Sequence, residues 1–421
     1  MSEFQNCQKN CNGRAGCVVN STACIRMPRS TNGESVHENA SVMPGVSAAD
    51  CSQTNHGRCA EVFDKVFDGA GGAAVVVYFS RTPAKGALSA RVQVNARSAA
   101  NVEKVHEALS DRSYEADPET FEQRVACELV FGAPELVSAI NYAFSNGAII
   151  IEVLGLPGQA VQPKTPDDGI VDEPSVAAHV TNLVGVFAGA LGLQGFAYSG
   201  ENDGKLLRAV APKIENAGQA SSQGFADDLG MHMDNANRTI PHSFDIAQPD
   251  RGPMNAYQAF ATVQACPDTP MEVAALQDVV NEVIKEHGVS VISALEQPDF
   301  SVCKPDSHGG GVDIVGVPVL VRDAKAQVHG RFHMANVVGM TPKSEAALEA
   351  FRAVVAKTTS VVKIPGHKNG LILYSNSQCM HRRSRYLPRF DGQDRYYVRL
   401  YLSPIDIMTA YSAHAVGRVF S

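Results

Sequence analysis

"NSQCMHRRSRYLPRFDGQDRYYVRLYL", residues 376–402, carries one histidine and six arginines in a frame of aromatic and branched residues. Its last third, "DRYYVRLYL", has the composition of a strand. Residues four apart on a strand point to the same face, so Arg395 and Arg399 project together. Arginine forms bidentate, charge-assisted bonds with carboxylates, each contributing roughly 1.5–3 kcal/mol. His381 lies fourteen residues before Arg395 and eighteen before Arg399, just after the strand-like run "GLILYSN". An imidazole followed by two co-facial guanidiniums predicts a site that holds carboxylates beside something the imidazole binds.

Working outward, "GMHMDN" at 230–235 places His232 and Asp234 two apart. On a strand these side chains share a face. With His381 they make a set of two histidines and one carboxylate, which covers one face of Fe(II) and leaves the opposite face open. Open positions are what O2 activation requires, because an oxidant and an organic cosubstrate must both reach the metal. The two arginines then predict two carboxylates near the iron, one from a keto acid and one from the substrate. His242 lies nearby but has no acid two places on. His329 and His333 would share a strand face and are read as pocket wall or surface. Arg382, Arg383 and Arg385 read as a solvated run, with Asp391 and Asp394 as their structural partners.

The surrounding chain alternates short β-rich runs with a few helices. "DPETFEQRVACELVFGAPELVSAINYAFSN" begins with an aspartate cap and continues with helical periodicity. "EPSVAAHVTNLVGVFAGALG" reads as an apolar helix, and "PKSEAALEAFRAVVAKT" as another. "PMEVAALQDVVNEVIKEHG" reads as a helix from Pro270 at its first turn to Gly288 beyond its end. "YQAFATVQA", "VDIVGVPVLVRD", "AQVHGRFHMA" and "TSVVKIPG" read as strands. Irregular strand spacing disfavours a repeating βαβ series. The expected fold is mostly β with flanking helices, a curled antiparallel sheet of the jelly-roll kind with helices packed outside. The expected divisions are a low-order Cys-rich extension at 1–60, a small α/β decoration at 61–117 and the main β domain at 118–421.

The bulk numbers narrow the partners. The 421 residues carry a formal charge of −8, with 44% apolar and 19% charged residues. This supports a real core and gives no electrostatic reason to expect nucleic acid or an anionic membrane. No apolar run approaches a membrane span, and "MSEFQNCQKNCNGRAG" lacks the apolar centre of a secretory signal, so a cytoplasmic protein is expected. Six of ten cysteines fall in the first 59 residues. Their spacing matches no CxxC pair, and the expected context disfavours a disulfide framework. "HGGGVD" at 308–313 has no phosphate-loop order and reads as a loop over the pocket.

"HMD" at 232–234, "CPDTP" at 266–270 and "HRRSRYLPRFDGQDRYYVR" at 381–399 together resemble the clavaminate synthase-like branch of the Fe(II)/2-oxoglutarate-dependent dioxygenases, related to taurine dioxygenase. The resemblance covers roughly 120–421. It implies a cupin-like double-stranded β-helix for the dioxygenase domain at 118–421, with His232, Asp234 and His381 as Fe(II) ligands and 2-oxoglutarate and O2 as cosubstrates. It further implies oxidative decarboxylation to succinate and CO2, coupled to hydroxylation of an unactivated C–H of an amino acid or amino-acid-like substrate. By position, Arg395 would grip the distal carboxylate of 2-oxoglutarate, assisted by Thr269. Arg399 would anchor a substrate carboxylate, and Asn202 would hold the substrate's amino group. Thr269 could equally cap the helix expected to start at Pro270. Two departures stand out. Amino-acid hydroxylases of this branch usually carry glutamate where this chain has Asp234. "GRFHMANVVG" has His333 where arginine-hydroxylating relatives have aspartates, so a neutral or acidic side chain is the expected substrate. The alternatives are a desaturase or cyclase of the same family, or a cupin-like metal protein that does not use 2-oxoglutarate or is not catalytic. A carrier protein presenting the substrate is a further expectation.

Overall fold

The computed structural model describes residues 64–219, 221–241, 252–304 and 311–420. The Cys-rich extension at 1–60, His242 and the glycines at 309 and 310 lie outside the described residues.

Strands β1 (Asp64–Asp68), β2 (Ala74–Arg81) and β3 (Leu88–Val94) precede helices α1 (Ala96–Ala108), α2 (Pro118–Gly132) and α3 (Pro134–Ser145). Strand β4 (Ala148–Leu154) leads to α4 (Ala177–Leu183), which runs on as a π-helical turn, Val184–Gly189. Next come β5 (Leu193–Tyr198), β6 (Arg208–Val210), β7 (Leu229–His232), β8 (Tyr257–Gln264) and β9 (Met271–Ala275). Helices α5 (Leu276–His287) and α6 (Val289–Leu295) follow. Short strands β10 (Phe300–Cys303), β11 (Val312–Val317), β12 (Leu320–Arg322), β13 (Val328–Gly330) and β14 (Val337–Gly339) lead to α7 (Pro342–Lys357). The last elements are β15 (Val362–Ile364), β16 (Leu371–Ser375), β17 (Cys379–Arg383), β18 (Tyr396–Pro404), α8 (Ile405–Ala410), β19 (Ala415–Val416) and β20 (Val419–Phe420).

The architecture is mostly β with helices outside. Eleven strands form one open sheet, ordered β1-β2-β3-β4-β16-β8-β18-β5-β20-β19, with β6 also paired to β18. A second sheet of four antiparallel strands is ordered β15-β9-β17-β7. Strand β18 is the key to the interior, because nearly all of it is buried. Its alternate residues Tyr396, Val398, Leu400 and Leu402 join the core made with Val125 and Leu129 of α2 and Val180 of α4. The opposite face carries Tyr397, which packs with Phe260, Ile372 and Tyr374 against Met271 and Val273 of the small sheet. By the two-residue period of a strand, Arg399 and Tyr401 lie on that same face, between the sheets, and Arg395 lies in line with them just ahead of the strand.

Three local expectations change. The long helix expected from residue 118 is two helices, because Pro134 lacks the N–H a continuing helix needs and instead opens α3. The aspartate cap is present: the Asp117 carboxylate accepts from Thr120 N. "MEVAA" is strand β9, and the helix starts at Leu276, not at Pro270. Thr269 is therefore not a helix cap. Gly288 does end α5, at φ 84°, a left-handed position that favours glycine. Finally, β7 ends at His232, so Asp234 is delivered by the turn that follows.

Candidate metal centre

His232 at the end of β7 sits directly across from His381 in β17. Their ring centroids are 4.1 Å apart. The turn after β7 brings Asp234 to the same point. Asp234 Oδ1 lies 3.3 Å from His232 Nε2 and 3.7 Å from His381 Nε2. One donor atom from each of these three residues falls within 4.8 Å of the others. His232 Nδ1 is 2.8 Å from Gly230 O. A carbonyl can only accept, so Nδ1 donates to it and Nε2 is the nitrogen turned toward Asp234 Oδ1. His381 is pushed down to about 3 by burial and by the neighbouring His232, so it is neutral near pH 7.

The turn is held from below. Asn376 Oδ1 accepts from Asp234 N (3.1 Å), and its Nδ2 donates to Asp234 O (2.9 Å). Asn235 takes φ 57°, which lets the chain reverse after the ligand. The second carboxylate oxygen is already engaged. Arg399 Nη1 donates to Asp234 Oδ2 at 2.8 Å, and Tyr401 Oη lies 3.1 Å from the same atom. Burial pushes the Asp234 carboxyl up, but Arg399 and the histidines outweigh it and hold it well below the usual range. Oδ1, facing both imidazoles, is the oxygen left for an ion.

Arg399 also donates through Nη2 to Glu201, whose carboxylate lies 2.7 Å from Arg208 Nη1 and 3.0 Å from Tyr401 Oη. Two guanidiniums and two carboxylates thus form one buried, formally neutral network. A cleft opens onto it, lined by Glu201, Arg208, His232, Asp234, His333 and Arg399, among others. His333 packs against His232 at 5.4 Å between ring centroids, and burial pushes its imidazole down to about 4.

A second group of buried polar side chains is not among the residues that line that cleft. Arg395 is 4% exposed, and its Nε has no hydrogen-bond partner. Its guanidinium lies over Tyr397, 4.8 Å from the ring centroid. Thr269, 6% exposed, has an unpartnered Oγ1. Arg383 is as buried as Arg395, which corrects the solvated-run reading for that residue. Arg382 instead pairs with Glu272 at 2.5 Å, and Arg385 is exposed. Asp391 and Asp394 do not pair with any of these three. The Asp394 carboxylate accepts the backbone N–H groups of Arg389 and Phe390, and Asp391 pairs with Arg389.

The structure therefore brings His232, Asp234, His381 and Arg399 together, and places Arg395 and Thr269 among buried, unsatisfied polar atoms. Asn202 is not among the residues that line the larger cleft. Its amide donates to the carbonyls of Lys205 and Leu207, and with Glu201, Arg208, Arg399 and Tyr401 it lines a smaller pocket beside that cleft. Strand alternation would have found Tyr401, two places after Arg399, and Arg383, two places after His381. Nothing local marks Glu201 or Asn376. His329 turns toward Ser377 and Asp323 and does not line the cleft. Among the described residues, no helix is long and apolar enough to cross a membrane.

No family model matches the chain. It is 23% identical over 286 residues to an L-lysine 3-hydroxylase of Catenulispora acidiphila, covering 66% of this chain and 73% of that protein. It is 25% identical over 261 residues to an L-asparagine oxygenase of Streptomyces coelicolor, covering 61% and 71%. Among solved structures it is similar to an asparagine oxygenase in complex with Fe(II), 3-hydroxyasparagine and succinate (TM-score 0.65, 19% identity, 78% of this chain and 98% of that one). It is also similar to the non-heme iron oxygenase OrfP with Fe, succinate and (3S)-hydroxy-L-Arg (TM-score 0.64, 15% identity, 79% and 99%). The fold is shared with these oxygenases, and the resemblance read from the three motifs is to the same group of proteins.

Proposed function

We propose that this chain is an Fe(II)- and 2-oxoglutarate-dependent oxygenase that hydroxylates an unactivated C–H of an amino acid, releasing succinate and CO2. The observation that carries the reading is the convergence of His232, Asp234 and His381 beside buried guanidiniums. Two imidazoles whose Nε2 atoms face one carboxylate oxygen, with that carboxyl held well below its usual range, fit a divalent ion of the non-heme iron type. Bound iron supplies the redox chemistry that couples keto-acid decarboxylation to C–H oxidation. The chain's own residues do the rest. Arg399 and Tyr401 occupy Asp234 Oδ2, which fixes the carboxylate as a one-oxygen ligand and keeps coordination positions open. Arg395 and Thr269 are the polar groups assigned to the distal carboxylate of the cosubstrate. Arg399 and Arg208 face the cleft as carboxylate partners for the substrate. Glu201 takes over the ammonium role first assigned to Asn202.

The double-stranded β-helix is the finer reading of the fold, supported by two sheets packed face to face with the ligands on the smaller one. In the same reading 118–421 is the oxygenase domain, and 61–117 decorates it by adding β1–β3 to one edge of its sheet. A small-molecule substrate and a cytoplasmic location go with this function. Oxygen uptake and succinate release, screened over free amino acids with Fe(II), test it. Both should fall at least about a hundredfold in His232→Ala, because a lost ligand removes the metal on which the oxidation depends. Succinate release unchanged in that variant would remove the proposal.

A further inference from the structure

Arg383 and Arg395 present an electrostatic problem that the protein alone does not solve. Both are 4% exposed. Neither makes an ion pair with a carboxylate among the described residues. The nearest acids are spent elsewhere: Asp394 on the backbone of Arg389 and Phe390, and Asp228 on Arg385 N. Two like charges side by side in a medium of low dielectric are costly unless an anion joins them.

The orientation of Arg383 is specific. Its Nη1 donates to Ser384 O (2.9 Å) and Asp227 O (3.3 Å), and its guanidinium lies over the ring of Tyr386 at 5.4 Å. Those contacts fix the group while Nε and Nη2 have no partner. The Nε–Nη2 edge is one of the edges that receives a carboxylate in a fork. The register shows what that edge accompanies. In the β9–β17 pair, His381 faces Val273 and Arg382 faces Glu272, so Arg383 comes next to Met271. Thr269, in the bend two residues before Met271, has its own orphaned Oγ1. Arg383 follows His381 by two residues in β17, across a register irregularity against β7.

We infer that Arg383 is a second guanidinium for the keto acid, closing with its free Nε–Nη2 edge on the distal carboxylate that Arg395 and Thr269 also hold. It is a specificity-determining residue for dicarboxylate over monocarboxylate keto acids. The inference rests on the 2-oxoglutarate reading given above.

The test is anaerobic titration of the Fe(II) protein, following the visible band that a chelating keto acid produces. Native protein, Arg383→Gln and Arg383→Lys are each titrated with 2-oxoglutarate and with 2-oxobutyrate, which lacks the distal carboxylate. Thermal unfolding and iron content are recorded for all three. Arg383→Gln should weaken 2-oxoglutarate at least about tenfold, as losing a charged hydrogen-bond pair predicts, and move 2-oxobutyrate less than about twofold. Arg383→Lys, which keeps the charge and loses the fork, should fall between. Equal weakening of both keto acids in both variants would make Arg383 merely structural and overturn the inference. So would unchanged 2-oxoglutarate binding in Arg383→Gln. A native protein that gives no band with 2-oxoglutarate would remove the parent reading as well.

Discussion

Arg399 touches two carboxylates at once, and that double contact sets both the stability and the chemistry of the centre. With Asp234, Glu201 and Arg208 it forms a network in which every charge has an opposite neighbour. Removing one member strands the others out of water. Arg399→Ala should therefore destabilise the metal-free protein by roughly 3–5 kcal/mol, read from urea unfolding, with Arg399→Lys recovering only part of it. An unchanged midpoint in Arg399→Ala would show that the network is not coupled. The buried histidines carry a second residue-level consequence. His179 and His333 are each pushed down to about 4, chiefly by burial, and His381 to about 3. Their unfolded value is about 6.5, so the unfolded chain binds these protons first. Stability is complete above about pH 6.5 and is lost progressively as the pH falls toward 4. The metal-free protein's Tm should decline across that interval, and His179→Gln should flatten part of the decline. A Tm that stays level from pH 7 to 4 would contradict these shifts. At this scale a strand period places Arg395 with Arg399, as expected from sequence; His381 with Arg383, and Arg399 with Tyr401, are i and i+2 pairs of the same kind, although the burial of Arg383 is not legible in that spacing. Glu201 was missed because it is placed by a turn, where no period operates.

The turn after β7 is the element on which the centre depends. His232 is positioned by pairing with β17, but Asp234 lies beyond the strand and owes its place to Asn376, which is completely buried. Besides gripping Asp234, Asn376 accepts from Gln258 Nε2 (3.1 Å) and donates to Asn255 O (3.2 Å). It ties the turn to β8 in the large sheet. Asn376→Ala should lower iron affinity about 10–100-fold, the usual effect of losing a ligand's supporting contact, while native secondary structure persists. Competition with a calibrated chelator measures this, and undiminished affinity would show that the turn holds itself. The β9–α5 segment illustrates the opposite case. Its apolar spacing reads as one helix from Pro270, yet its first five residues pair on both sides, with β15 and β17. Buried strand and buried helix share the same apolar run, and only the neighbours decide between them.

At the scale of the molecule, the candidate centre joins two sheets through residues far apart in the chain, with His232 and His381 on neighbouring strands of the small sheet and Arg399, which donates to Asp234, on the large one. A divalent ion bound there prefers the folded state, so it should raise the unfolding temperature, by an amount corresponding to about 2.7 kcal/mol at a hundredfold excess over Kd. Adding Fe(II) anaerobically to metal-free protein should show this, and a chelator should reverse it. Asp234→Ala should show no such rise; a rise of the same size in that variant would place the ion elsewhere. The sequence by itself determined which of the side chains at the candidate centre meet, His232, Asp234 and His381, and the class of the fold, mostly β with helices. Ligand types, strand alternation and the spacing from His381 to Arg399 are local properties of the chain, and they survive without knowledge of its neighbours. Tertiary structure alone decided that Glu201 rather than Asn202 faces the cleft, that "MEVAA" is a strand, and that Arg383 lies buried beside Arg395. Each of those outcomes depends on which distant segment packs against the residue, and burial and pairing between distant segments are not written in any short stretch of sequence.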